Sequence, residues 1–157
     1  MVRLVSMTEA EFDAFMEISM RDQAQGHVQT GRWRAEEADD LIRELRDQVL
    51  PDGLATPNHF FFVIEDHDSA TKVGGLWYAI ADRDGIRQLY VMDIQVYEEY
   101  RRRGYGTKAF RIMEERAQKM GISLISLHVF KHNLPARAMY EKLGYVGQDE
   151  MMSKELP

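Results

Sequence analysis

A cluster of three arginines and two glycines separates a strand-like run from a helix-like run, and it constrains this chain more than any other feature. The segment is Arg101-Arg102-Arg103-Gly104-Tyr105-Gly106; it follows the apolar stretch Leu89 to Val96 and opens an amphipathic stretch, Thr107 to Met120. The first N–H groups of a helix lack intrahelical partners and carry partial positive charge. Glycine lets the backbone approach a ligand closely, and arginine adds charge and paired hydrogen-bond donors. The pattern therefore predicts a cradle for a phosphate or pyrophosphate.

Two other phosphate-binding motifs can be compared with this spacing. A P-loop requires Gly-x-x-x-x-Gly-Lys-Ser/Thr, which the sequence does not contain. A dinucleotide fingerprint requires Gly-x-Gly-x-x-Gly near the start of a βαβ unit. Here Gly104-x-Gly106 is followed by Ala109, and alanine is an accepted substitute for the third glycine. The dinucleotide-binding fold is therefore disfavoured by position alone, because too little chain follows the loop for a doubly wound sheet. Binding of ATP or NAD stays an alternative.

Composition narrows the class of protein. With 157 residues, 45% of them apolar, the chain fits a single domain with a packed core, residues 1–157. The net charge of −6 disfavours general nucleic-acid binding and suits an amine substrate. The absence of cysteine excludes disulfides and thiolate chemistry and fits a cytoplasmic location. No apolar run reaches the ~18 residues of a membrane span, so no membrane partner is expected.

Periodicity and turn residues predict an α+β domain with a mixed, mostly antiparallel sheet. Thr8 and Glu11 match a capping box at the start of the first helix, and Gly26 to Gly31 predicts a break after it. The strands Arg87–Val96 and Ser123–Val129 are expected to pair in parallel because a helix connects them. The other predicted strands are Val2–Ser6, His59–Glu65, Val73–Ala81 and two short strands around Gly147 within Tyr145–Leu156. The other predicted helices are about Ala35–Val49 and Asn133 to near Gly144, which makes about four helices in all.

The order of these elements resembles the GNAT acetyltransferase superfamily. Arg101-x-x-Gly104-x-Gly106, between the fourth strand and the third helix, matches that family's Gln/Arg-x-x-Gly-x-Gly/Ala motif. A second block is similar to the family's strand-x-x-x-Asn-x-x-Ala-x-x-x-Tyr-x-x-x-Gly-Phe/Tyr segment, and it comprises Ser126 to Asn133, Ala136, Tyr140, Gly144 and Tyr145. The element order agrees over nearly the whole chain, and the motifs are specific from about Leu89 to Tyr145. The resemblance implies a GNAT-like sheet in which the parallel strand pair is splayed.

The same resemblance implies a reaction and a set of residues. Acetyl-CoA would be the co-substrate, and the acceptor would be a primary amine on a small molecule or peptide. The backbones of Ile94 and Val96 would pair with the pantetheine arm, and the N–H near Ile94 would polarise the thioester carbonyl. Asn133 would contact the pantetheine or hold the strand end. The implied residues of the acetyl-CoA site are Ile94, Val96, Arg101, Arg102, Arg103, Gly104, Tyr105, Gly106, Thr107, Asn133 and Tyr140.

Tyr140 is implied as the general acid that protonates the departing thiolate. A phenol has a pKa of about 10 and a thiol of about 8.5, so tyrosine keeps its proton at neutral pH and can donate it. Asn133 and Tyr140 are seven residues apart, which predicts that they share one helix face. A core aromatic beside Leu143 is the alternative role of Tyr140.

The general base is less defined. The candidates are Asp93 on the fourth strand, Glu65 on the second and His128 on the fifth, with a water chain as a further alternative. Asp93 is the first choice because it is an acid within an otherwise apolar strand, and a role as a buried hydrogen-bond partner is its alternative. His128 and His132 have no third ligand, so no metal site is predicted.

Two further expectations concern the acceptor and the assembly. His27 and Trp33 lie between the first two helices, where GNAT proteins often shape the acceptor site. Members of the superfamily are often dimers, and open sheet edges are compatible with a homodimer. The alternative to an enzyme is a non-catalytic acyl-CoA sensor on the same fold, which would not need the phenol of Tyr140.

Overall fold

One five-stranded sheet carries four α-helices in the computed structural model, which describes residues 1–154 and 156–157. The strands are β1 (Val2–Ser6), β2 (His59–Asp66), β3 (Lys72–Arg83), β4 (Ile86–Val96) and β5 (Ile125–Leu127). The helices are α1 (Glu9–Gln29), α2 (Ala38–Val49), α3 (Tyr105–Lys119) and α4 (Leu134–Lys142). Short 3-10 turns occur at Gly53–Ala55 and Glu98–Tyr100. The predicted α+β class is confirmed.

The sheet has the strand order β1-β2-β3-β4-β5. The first three pairings are antiparallel and the last is parallel, as the sequence predicts. Asp84 and Gly85 connect β3 to β4 with φ angles of +55° and +77°. A two-residue hairpin needs this left-handed backbone to match the twist of its strands.

The helices cover the two faces of the sheet in pairs. On one face α1 and α2 pack on Phe61, Val63 and Trp77. On the other face α3 and α4 pack on a larger core that includes Ile64 and Leu76. Neighbouring strand residues such as Val63 and Ile64 thus serve opposite cores, because successive side chains of a strand point to opposite faces.

Helix α1 begins where the sequence predicts and ends later than predicted. Thr8 N–H donates to Glu11 Oε1 over 3.0 Å and Glu11 N–H donates to Thr8 Oγ1 over 3.2 Å, which confirms the capping box. The predicted break at Gly26 to Gly31 is wrong for its first half, since α1 continues to Gln29. A Cβ built on Gly26 would lie 2.3 Å from the Phe130 ring. Gly26 therefore makes room for an aromatic ring and does not end the helix.

The segments after α3 are less regular than predicted. The strand expected over Ser123–Val129 is reduced to Ile125–Leu127. Earlier in the chain, α2 also starts later than predicted, at Ala38 and not at Ala35. The two strands expected around Gly147 are absent from residues 145–154 and 156, while Glu155 lies outside the described residues. Val146, Met151 and Met152 are largely exposed, so this segment buries too few side chains to hold a strand on the sheet.

Two sheet edges stay open in the chain. β1 and β5 each pair on one side only, so the expected homodimer stays a prediction. Within the described residues, no helix has both the length and the apolar character needed to cross a membrane.

Candidate active site

A gap opens in the sheet between β4 and β5. The two strands pair only from Leu89 to Val91 on β4, opposite Ile125–Leu127. Immediately after Val91 the register between β3 and β4 shifts by one residue, which makes Met92 a β-bulge. A bulge bends its strand and re-aims the side chains beside it. The last five residues of β4 therefore diverge from β5, as the predicted splay requires.

The backbone of Ile94 and Val96 faces this gap. Tyr97 N–H donates to Val73 O over 2.9 Å, so the backbone N–H and C=O groups of the odd-numbered residues at the end of β4 point towards β3. Because residues two apart in a strand direct their backbone groups to the same side, Ile94 and Val96 face away from β3. Their N–H and C=O groups are thus available to an extended ligand, except that Val96 O already accepts from Arg101 Nε over 2.9 Å.

The arginine–glycine loop ends directly at the N-terminus of α3. Gly104 is the N-cap residue, with φ +80°, and Arg102 also has a positive φ of +64°. Because glycine has no side chain, Gly104 cannot occupy the first helical N–H groups with a capping hydrogen bond of its own. Arg101, Arg102 and Arg103 are all exposed. N–H groups at a helix start, a helix dipole and three cations are the features that the predicted anion cradle requires, and the cradle itself stays a prediction.

Three residues of the motif have side-chain or packing roles that the sequence did not predict. The Arg101 guanidinium clamps the loop to the end of β4. Tyr105 Oη donates to Asp66 Oδ2 over 2.8 Å, and this bond, followed by bonds from the N–H groups of Ser69 and Asp68, lowers the pKa of Asp66 to about 2. A Cβ on Gly106 would lie 2.9 Å from Met139 Sδ, so this glycine allows α3 to approach α4. These contacts fix the cradle to β2, β4 and α4.

Tyr140 lies on α4 and packs in the core on the face of the sheet opposite α1. It is 9% exposed, and its ring lies 5.5 Å from that of Phe110 and 6.2 Å from that of Tyr145. Burial, and then the charge of Asp93, raise the pKa of Tyr140 to about 12. The phenol is therefore protonated across the physiological range.

Asn133 caps α4 and differs from Tyr140 in environment. Its Oδ1 accepts from Ala136 N–H over 3.4 Å, and the residue is exposed. The prediction that Asn133 and Tyr140 share one helix face is therefore wrong, because Asn133 precedes the first helical residue. Both roles named for Asn133, cap and ligand, remain compatible with its exposure.

Asp93 lies on the opposite face of the sheet, towards α1. It pairs with Trp77 across β3 and β4, and its Oδ2 accepts from Gln95 Nε2 over 3.1 Å. The pKa of Asp93 is raised by burial, although contacts with Ser19, Gln95 and the Ile94 N–H oppose the increase. A carboxyl with a raised pKa is a stronger base than an exposed one. The charge of Asp93 is, after burial, a second cause of the raised pKa of Tyr140, which packs in the core on the other face of the sheet.

The other base candidates lie in different surroundings. Glu65 is 8% exposed and is paired with Arg3, whose Nε donates to its Oε1 over 2.9 Å. The ring of His128 packs against Phe130, and the resulting partial desolvation of the imidazole, followed by the charge of Arg32, lowers the pKa of His128. Within the described residues, neither Glu65 nor His128 forms a hydrogen bond or an ion pair with Asp93 or Tyr140. The ion pair gives Glu65 a structural partner, so Asp93 stays the first choice.

The two residues named for the acceptor side, His27 and Trp33, pack against each other, and His27 also packs against Phe130. His27 lies with its ring 4.2 Å from Trp33 and 5.3 Å from Phe130. The Nδ1 atom of His27 is buried without a partner in the described structure, and desolvation lowers the pKa of this histidine. A cavity of about 380 Å³ lies nearby between α1 and α2, lined by Met20 and Val28 among others, and it contains none of the predicted site residues.

The sequence analysis did not identify two polar residues near Asp93, Ser19 and Gln95. Gln95 Nε2 donates to both Asp93 Oδ2 and Phe15 O, and Ser19 is fully buried on α1, where its hydroxyl accepts from Gln23 Nε2. The available signal was a small polar residue within the apolar stripe of α1 that Phe12, Phe15 and Met16 begin. No group of three metal-binding side chains occurs in residues 1–154 and 156–157.

Comparison with known proteins agrees with this geometry. A family model described as Acetyltransferase (GNAT) family matches residues 12–145. The chain belongs to the GNAT acetyltransferase family. As a GNAT protein, it is an acyltransferase that depends on acetyl-CoA.

Individual relatives cover the chain almost completely. It is 33% identical to the uncharacterized N-acetyltransferase YycN of Bacillus subtilis over 155 residues, with 99% of both chains covered. It is 31% identical to YdgE of the same organism, with 98% of this chain and 97% of that one covered. The crystal structure of YycN superposes with a TM-score of 0.91 at 32% identity, over 100% of this chain and 99% of that chain.

An acetyltransferase of Clostridium acetobutylicum whose crystal structure includes acetyl-CoA has the same fold. The TM-score is 0.65 at 17% identity, with 99% of this chain and 96% of that chain covered.

Proposed function

We propose that this GNAT protein transfers an acetyl group from acetyl-CoA to a primary amine by direct attack within a ternary complex. One observation carries the proposal: the unpaired end of β4 lies next to the arginine–glycine loop and the α3 N-terminus, with Tyr140 and Asp93 on the two faces of the same gap. The proposal extends to residues 1–157 acting as a single catalytic domain.

The acetyl-CoA site would use backbone more than side chains. The N–H groups of Gly104, Gly106 and their neighbours would hold the pyrophosphate, with Arg102 and Arg103 adding exposed positive charge. The amide-bearing arm would extend β4 on its open side at Ile94 and Val96, as an added strand does at a sheet edge. Because Arg101 occupies Val96 O, the arm would bond mainly with Ile94 and with the Val96 N–H.

The chemical step needs one proton removed and one proton supplied. Asp93 would accept one proton from the ammonium form of the acceptor, whose freed nitrogen lone pair then attacks the thioester carbonyl carbon, while the Ile94 N–H stabilises the developing oxyanion. As the C–S bond breaks, Tyr140 would give its proton to the thiolate, and the second proton of the attacking nitrogen would pass through water to the tyrosinate. The products are the acetylated amine, free CoA and the one proton that Asp93 then releases to water.

The interaction between Asp93 and Tyr140 supports this order of events. The negative charge of Asp93 is one cause of the raised pKa of Tyr140. Once Asp93 has taken a proton, that charge is neutralised and the phenol becomes a better acid. Tyr140 is thereby expected to release its proton after the amine has been deprotonated, when the thiolate forms.

The test is Tyr140→Phe, measured by release of the CoA thiol. Wild type and variant are incubated with acetyl-CoA and a panel of amines: spermidine, an aminoglycoside, free amino acids and a peptide with a free N-terminus. We expect at least one amine to support turnover and Tyr140→Phe to lower kcat by about 10²- to 10⁴-fold with unchanged affinity for acetyl-CoA. Binding of acetyl-CoA with no release above the Tyr140→Phe background for any amine would instead favour the non-catalytic sensor.

A further inference from the structure

The chain that follows β5 brings two rings to the face of the sheet that α1 covers. Leu127, the last residue of β5, and Val129 both pack in the core beneath α3 and α4. Because successive side chains of an extended chain point to opposite faces, His128 and Phe130 point to the α1 face. The contact between the rings of Phe130 and His27, a residue of α1, confirms this direction.

Helix α1 crosses this face and is seated on both sides of the gap. On the β4 side, Gln95 Nε2 donates to Phe15 O and to Asp93 Oδ2, each over 3.1 Å. On the β5 side, a Cβ added to Gly26 would overlap the ring of Phe130, so the helix backbone rests on that ring. The two seats are eleven residues apart, about 16 Å along the helix axis. The α1 side of the gap thus has an acidic wall at Asp93 and a second wall that contains Phe130.

The second wall is built from aromatic rings. The ring of Phe130 lies 5.1 Å from that of His128, 5.3 Å from that of His27 and 5.3 Å from that of His132. Trp33 continues the wall, with its ring 4.2 Å from that of His27. These five residues are called the aromatic cluster below. They come from α1, from the loop after it and from the segment between β5 and α4, so three distant segments converge at this wall.

The near end of the aromatic cluster lies opposite Asp93. Leu127 pairs with Val91 on β4, so His128, the next residue, lies level with the bulge that precedes Asp93. An acceptor whose amine reaches Asp93 from the α1 face would therefore have His128 and then Phe130 on its other side.

The charges around the aromatic cluster do not favour a polycation. Desolvation, followed by the charge of Arg32, lowers the pKa of both His27 and His128, so both imidazoles are neutral at neutral pH. No histidine of the cluster forms an ion pair with a carboxylate among the described residues. The charged residues beside it in the chain, Arg32 and Lys131, are exposed cations. A second ammonium group would meet no anion there, whereas an uncharged ring could stack on or pack edge-to-face with the rings of the wall.

We propose that the aromatic cluster selects the acceptor, and that the acceptor is a primary amine with a flat aromatic group close to its nitrogen. The proposal rests on the function proposed above, in which the amine is deprotonated at Asp93. The aromatic group would pack against His128 and Phe130 while the amine faces Asp93. Each favourable ring contact corresponds to about a 2- to 12-fold gain in binding beyond the burial of apolar area.

The experiment compares two acceptors that differ only in aromaticity, phenethylamine and cyclohexylethylamine, with spermidine as the polycationic alternative. The readout is the ratio of kcat/KM for the phenyl compound to kcat/KM for the cyclohexyl compound. His128→Leu and Phe130→Leu each replace a ring of the wall by an apolar side chain. The ratio cancels any part that His128 has in proton transfer, because the amine end of both acceptors is the same.

Phe60→Leu is the matched control. It removes another partly exposed ring, one that lies 5.3 Å from the ring of Tyr78 on the face covered by α3 and α4. A second readout needs no turnover: calorimetric titration of phenethylamine into each protein saturated with CoA.

The proposal requires wild type to prefer the phenyl compound over both other acceptors. It also requires that preference over the cyclohexyl compound to fall by about 2- to 12-fold in His128→Leu or Phe130→Leu and to stay unchanged in Phe60→Leu. A wild-type preference for spermidine or for the cyclohexyl compound overturns it, and so does a preference unchanged in both ring variants. If no amine is acetylated, the proposed function fails and calorimetry decides alone. Weaker binding of phenethylamine to His128→Leu than to wild type then supports the aromatic selection, and equal or absent binding overturns it.

Discussion

Replacing Gly104 by alanine separates the anion-binding role of the loop from its structural role. Gly104 has φ +80°, and a Cβ built on it meets no atom within 4 Å. The methyl group would therefore clash with nothing in the protein. It would occupy open space beside the first N–H groups of α3, where the pyrophosphate is proposed to bind. Gly121, at the other end of the same helix, is a matched control: its φ is +75°, and its added Cβ also meets nothing within 4 Å.

The two substitutions should be equally destabilising. Holding a non-glycine residue in the left-handed region costs about 1–2 kcal/mol. For a chain of this size that lowers Tm by about 2–8 °C in either variant. Only Gly104→Ala should also disturb a charge-assisted hydrogen bond to phosphate, worth about 1.5–3 kcal/mol. The Kd for acetyl-CoA should thus rise by about 10- to 100-fold in Gly104→Ala and stay within about twofold in Gly121→Ala.

Isothermal titration calorimetry with acetyl-CoA measures both affinities without an acceptor, and differential scanning calorimetry measures both Tm values. Equal losses of stability combined with a selective loss of affinity in Gly104→Ala would support the cradle. If both variants bound acetyl-CoA like wild type, the pyrophosphate would not lie at the α3 N-terminus and the reasoning from the loop would be refuted. If both lost affinity equally, Gly104 would act through the fold alone.

Two further predictions concern contacts outside the reacting groups. Tyr105→Phe removes the largest of several bonds that together lower the pKa of Asp66 to about 2. Because the stabilisation from this bond is fully present above about pH 4 and is lost as the pH falls through 2, urea unfolding should show the variant less stable than wild type at pH 5, with the difference shrinking towards pH 2. Gly26→Ala places a Cβ 2.3 Å from the Phe130 ring and should lower stability by about 1–3 kcal/mol in thermal unfolding. A smaller side chain in Phe130→Leu should recover part of that loss, and an additive double variant would argue against the contact.

Most strands and helices could be predicted from the sequence because each has a local cause. The capping box at Thr8 depends on two residues three apart, and the hairpin at Asp84 and Gly85 depends on two neighbours. The parallel pairing of β4 and β5 follows from the helix that connects them. These elements are specified by periodicity, caps and turns, and such signals survive without knowledge of the tertiary structure.

The errors occurred where a distant contact overrides the local signal. Gly26 indicates a helix end by itself, but α1 continues because the glycine receives the Phe130 ring. Two short strands are predicted around Gly147, yet Val146 and Met151 find no core to cover and no strand forms over the described residues there. The bulge at Met92, which opens the gap beside β4, leaves no mark on the apolar run Leu89 to Val96. Each outcome is decided by packing between segments far apart in sequence.

The same distinction explains why the acetyl donor could be predicted and the acceptor could not. The proposed acetyl-CoA site is built largely from contiguous chain, a strand end, a loop and a helix start, so a short motif defines it. The side proposed for the acceptor would instead include α1, which is tied to β4 by the bond from Gln95 to Phe15, 80 positions earlier. A family motif centred on the loop carries no information about a helix placed by such a contact. We therefore expect the acceptor specificity of this protein to depend on residues of α1, which lies outside both family motifs.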